Sequence, residues 1–143
     1  MKILRIGFVL LICSGLSAQT ENLDLRHLKN ILQKQGFTGA LEGKVHFSRL
    51  GNLKCNSETY EVIYHEWEQS HPAGARHAAY RVLFIDKQNQ YIGSYRVPER
   101  PLSVTLQKIR FNFSEKQGNT IRCDSEGLPD EVILDGEGSS LFK

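Results

Sequence analysis

The densest group of side chains able to do chemistry is His65-Glu66-Trp67-Glu68-Gln69-Ser70-His71, followed closely by Arg76 and His77. Imidazoles beside carboxylates can bind zinc or carry protons near neutral pH. A helical zinc-protease motif needs two histidines one turn apart with a glutamate after the first, whereas His65 and His71 stand six residues apart. Residues 59–67 are rich in β-branched and aromatic types and read as a strand. On a strand His65 and Glu66 point to opposite faces, so they do not converge on one ion. Solvated strand and loop residues are the default reading, with no metal and no cofactor expected.

Other chemistries fare no better. Ser48, Ser57, Ser94 and Ser103 lack the strand-turn-helix setting of a nucleophile elbow. Gly136 and Gly138 follow a strand-like run, but no helix and no lysine come after them to complete a phosphate-binding loop. The acidic pairs Asp130-Glu131 and Asp135/Glu137 fall near turns, where carboxylates serve as solvated turn formers. No enzyme is expected.

What remains is a recognition surface. Tyr60, Tyr64, Trp67, Tyr80, Tyr91 and Tyr95 lie on three neighbouring strand-like runs beside Arg76, Arg81, Arg96 and Arg100, and these residue types dominate protein interfaces. The candidate partner-binding residues are Trp67, His71, Arg76 and His77 around a long loop at 69–77, with Tyr91 and Tyr95 as aromatic anchors. The anchors require a sheet face left open opposite the helix; the alternative is that these rings pack the sheet. The expectation is a small exported non-enzymatic binding protein, an inhibitor or immunity-type protein acting on another secreted or envelope protein. The alternative is an envelope protein that binds a small ligand or a metal.

The elements that must position these residues are legible from periodicity. Residues 80–85 and 91–97 are two strands joined by a polar turn at 87–90, and Pro98 and Pro101 interrupt pairing before a third run at 102–113. In that run Leu102, Val104 and Leu106 are apolar in one phase and Ile109, Phe111 and Phe113 in the other, which predicts a β-bulge at Gln107-Lys108. The alternative is two faces buried by different neighbours. Weaker runs predict strands at 44–50, from Thr120, and at 131–134, with 138–143 as a loose tail.

Ahead of the strands, Leu25, Leu28, Ile31 and Leu32 recur at the spacing of one helical face. They predict a helix over 23–35, capped by Asn22 and ended by Gly36. The fold class is therefore α+β: one N-terminal amphipathic helix packed on a twisted antiparallel sheet of about six strands, a meander at its centre. In outline this order resembles cystatin-like and related helix-on-sheet folds, an analogy of fold that carries no function.

The first 18 residues read as a signal peptide, with Lys2 and Arg5 before an apolar run at 6–12 and small residues up to Ala18. Ile12 before Cys13 departs from the small residue that a bacterial lipoprotein signal carries there, so no lipid anchor is expected. Removing Lys2 and Arg5 leaves 16 basic against 16 acidic side chains, which provides no bulk positive field for nucleic acid or an anionic membrane. The remaining 19–143 is a normal single-domain length without repeats or linkers. Its two cysteines, Cys55 and Cys123, predict one disulfide in an oxidising periplasmic or extracellular setting. Two free thiols or a metal pair are the alternatives.

Overall fold

The computed structural model describes residues 24–70 and 72–143. The expected signal peptide at 1–18, the expected helix cap Asn22 and His71 lie outside the described residues.

Helix α1 (Leu25–Lys34) begins later than the spacing predicted, with Asp24 as its cap. Its carboxylate accepts from the backbone N–H groups of Arg26 (3.1 Å) and His27 (3.2 Å). The buried stripe is Leu28 and Leu32, while Leu25 is exposed. Gly36 takes the left-handed conformation that ends the helix (φ 76°), and Phe37 N–H then bonds Leu32 O at 3.0 Å.

Four long strands follow, β1 (Val45–Cys55), β2 (Glu58–Ser70), β3 (Arg76–Ile85) and β4 (Tyr91–Val97), paired antiparallel in chain order. The meander therefore starts earlier in the chain than expected. β2 and β3 run on into the expected loop at 69–77 and stay in register to Ser70 opposite Arg76. A bulge lies between Arg49 and Gly51 in β1, which lets Phe47 face one side of the sheet while Leu53 and Cys55 face the other.

The run at 102–113 is not one bulged strand. It is two short strands, β5 (Ser103–Val104) and β6 (Ile109–Arg110), folded back on each other. Thr105 explains the reversal: its N–H bonds Lys108 O at 2.9 Å, and its hydroxyl oxygen accepts from the N–H groups of Gln107 and Lys108. The change of apolar phase marks a hairpin turn. β7 (Thr120–Ile121) pairs with β6, and β8 (Glu131–Leu134) with β9 (Glu137–Ser140). The described residues thus hold nine strands in sheets of four, three and two, in place of about six strands. The tail is also held: Phe142 exchanges two backbone hydrogen bonds with Ser94 at 2.8 and 2.9 Å.

Both faces of the four-stranded sheet are covered. Leu28, Leu32 and Phe37 pack on Ile63, Leu83 and Ile85. The opposite face, expected to be open, carries the larger core: Leu53, Val62, Tyr64, Val82, Phe84 and Tyr95 meet Ile109, Phe111, Ile121, Val132 and Leu134. Coverage on both sides explains why residues 81–85 are buried without alternation. The Cys55–Cys123 disulfide, with Cα atoms 5.3 Å apart, ties the end of β1 to the chain after β7. A closed loop of that length stabilises by about 4 kcal/mol on the chain-entropy argument. Among the described residues no helix is long and apolar enough to cross a membrane.

Candidate functional site

Alternation along β2 divides its polar end between two faces. Register puts Glu66 between His46 and Tyr80, and Glu68 beside Ala78, on one face. Lys44, His46, Glu66, Glu68, Arg76 and His77, with Trp67 and Ala78, line a groove of about 320 Å³ at this end of the sheet. Glu68 is its electrostatic centre, 3.0 Å from Lys44 Nζ and 3.2 Å from Arg76 Nη1. The hydrogen bond from Lys44, reinforced by the charges of Lys44 and Arg76, holds its carboxyl below the usual carboxylate range. Arg76 and His77 are exposed. Three of the six residues singled out from sequence therefore meet at one groove, while Lys44, His46, Glu66 and Glu68 were not singled out as partner-binding residues. Cross-strand register, which sequence spacing does not give, is what brings them together.

The other candidates lie elsewhere. Tyr95 is fully buried, its ring edge-on to Phe84 and its hydroxyl bonded to Pro129 O. Tyr91 is half-buried on the helix side, with its hydroxyl 2.9 Å from Ser94 Oγ and 3.1 Å from Phe142 O. Trp67 touches the groove but is only 8% exposed, because its ring is committed to the face below.

That face holds an arrangement the sequence suggested only in part. His65, in phase with Ile63 and Trp67, is fully buried between the rings of Phe47 and Trp67, with centroids 4.6 and 4.7 Å away. Its Nε2 lies 2.8 Å from Ala40 O, which requires Nε2–H to donate, and Nδ1 has no partner among the described residues. Burial, helped by the Arg81 charge and opposed by the Ala40 hydrogen bond, pushes its pKa down to about 4. At neutral pH it is therefore an uncharged imidazole.

Arg81 stands opposite His65 in register and is 5% exposed, with Nε and Nη1 unpartnered among the described residues. Its guanidinium lies over three rings, 5.5 Å from Phe37 and 5.4 Å from both Trp67 and Phe142. Burial, then the charge of Arg96, lowers its pKa. His65 and Arg81 are both buried, so neither is placed to meet a dissolved substrate. Among the described residues no group of three or more His, Cys, Asp or Glu could hold a metal ion.

No protein-family model, no curated protein and no solved structure matches the chain.

Proposed function

We propose that this is a small exported, non-enzymatic binding protein that recognises another secreted or envelope protein, in the manner of an inhibitor or immunity-type protein. The observation that carries the reading is the convergence of Trp67, Arg76 and His77 on one groove at the exposed end of the β2–β3 ribbon. A rigid sheet closed on both faces presents that end as a preformed edge, and binding to a preformed surface loses little ordering entropy. The groove mixes cations, carboxylates and imidazoles, which suits a polar rim contact with a protein. The disulfide between Cys55 and Cys123 supports an oxidising compartment, periplasmic or extracellular.

The test is affinity capture with the oxidised protein from the secretome of its own source, repeated with Arg76→Ala and His77→Ala. A stoichiometric partner retained by the parent and lost by the variants is the expected result. A partner retained equally by the variants would move recognition away from this groove. Absence of any protein partner would transfer weight to a small ligand.

A further inference from the structure

The solvent face of the β5–β6–β7 sheet collects three cations, Lys108, Arg110 and Arg122, against one carboxylate, Glu115, in the same pocket. Ile109 and Ile121, paired across β6 and β7, are fully buried. Alternation therefore turns Lys108, Arg110, Thr120 and Arg122 to the outer face. Arg110 stands opposite Thr120, and Lys108 and Arg122 lie next to the paired Ile109 and Ile121. Among the described residues none of these three cations makes an ion pair.

Together with Glu115, Gly118 and Asn119 these side chains line a pocket of about 390 Å³. Its floor is fixed. A Cβ at Gly118 would collide with the Ile133 carbonyl, and Gly118 O accepts from Asp135 N–H at 3.0 Å. Asn119 Nδ2 donates to Phe113 O at 3.1 Å, and Thr120 Oγ1 donates to Asn119 Oδ1 at 2.8 Å. The cations are thus carried on backbone that has no need to rearrange when a ligand arrives.

We propose that this pocket binds the oxyanion of a phosphate or sulfate group, Arg110 and Arg122 offering planar pairs of N–H donors and Lys108 a point charge. The volume falls within the range of small-ligand sites, so there is room for a small organic ester as well as for the free ion. No aromatic ring among the described residues lines the pocket, so no base stacks there and charged hydrogen-bond donors hold the ligand. The site shares no residue with the β2–β3 groove and stands or falls independently of it.

Titration of the oxidised protein with inorganic phosphate at low salt, read by backbone amide NMR, tests this. Saturable shifts confined to residues 108–122 are expected, and Arg110→Gln with Arg122→Gln should weaken phosphate at least about tenfold while the melting midpoint holds. Lys108→Gln gives a second, milder variant. Tighter binding of a phosphorylated monosaccharide than of inorganic phosphate assigns the ester; equal binding assigns the free anion. Identical shifts with sodium chloride at matched ionic strength, or unchanged phosphate affinity in the double variant, would overturn the proposal.

Discussion

On one face of the four-stranded sheet, Val62, Tyr64, Val82, Phe84 and Tyr95 meet Ile109, Phe111, Ile121, Val132 and Leu134 with no charge among them. On the other, Ile63, Leu83 and Ile85 meet α1 and then give way to His65 and Arg81. Where the helix stops covering the sheet, rings replace aliphatic side chains: Phe37, Phe47, Trp67 and Phe142 enclose an imidazole and a guanidinium. The first face is held by shape and apolar burial. The second also has to desolvate two polar groups, and its contribution should depend on solution conditions in a way the first does not.

The largest contrast should come from Phe84→Ala on the apolar face, where a fully buried ring is removed. A loss of about 3–5 kcal/mol in urea unfolding is expected. A loss below about 1 kcal/mol would show that this face is not the principal core.

Acid should act on the other face. His65 has a folded-state pKa of about 4, below its ordinary value of 6.5. The unfolded chain therefore binds the extra proton first as pH falls, and stability declines between pH 6.5 and 4. The total is up to about 3 kcal/mol, at 1.36 kcal/mol per pKa unit. Denaturant midpoints measured across that window should lose most of this slope in His65→Gln. An unchanged slope in the variant would assign the titration elsewhere.

Arg81→Met sharpens the contrast further. It keeps the length of the side chain and removes a buried cation that has no carboxylate partner among the described residues, so stability should stay level or rise by about 1 kcal/mol. A fall beyond about 2 kcal/mol would mean that stacking on the three rings outweighs desolvation. The smallest effect belongs to the exposed groove. Arg76→Ala removes a surface ion pair with Glu68 and should cost under about 1 kcal/mol of stability. A larger loss of partner affinity, above about 1 kcal/mol in a calorimetric titration, would mark it as a hot spot. Trp67→Ala is a poorer probe, because the ring is stacked on His65 and its loss would perturb folding as well.

The sequence made local facts visible. Helical spacing indicated one amphipathic helix but not its start, β-branched runs located β2 and β4, and two cysteines in a chain with a signal-like start gave the disulfide. It gave less about what lies against each face. Alternation reports the phase of a strand, and the 102–113 run shows that a change of phase fits a turn as well as a bulge; only the backbone bond between Thr105 and Lys108 decides. The consecutive apolar residues 82–85 were a sign of a strand buried on both sides, and the segment that covers the second face is remote in sequence. The groove residues were partly legible as a polar cluster, but Lys44 and His46 join it through strand register alone.

The pair of hydrogen bonds between Ser94 and Phe142 bears on self-association. An outer strand with unanswered amides is a template for another chain, and here the last residues act as a selvedge along part of β4. A chain clipped after Ser140 would uncover that stretch and lift the Phe142 ring from Arg81 at the same time. Such a truncated protein should pass from monodisperse to aggregating at concentrations where the intact chain stays dispersed.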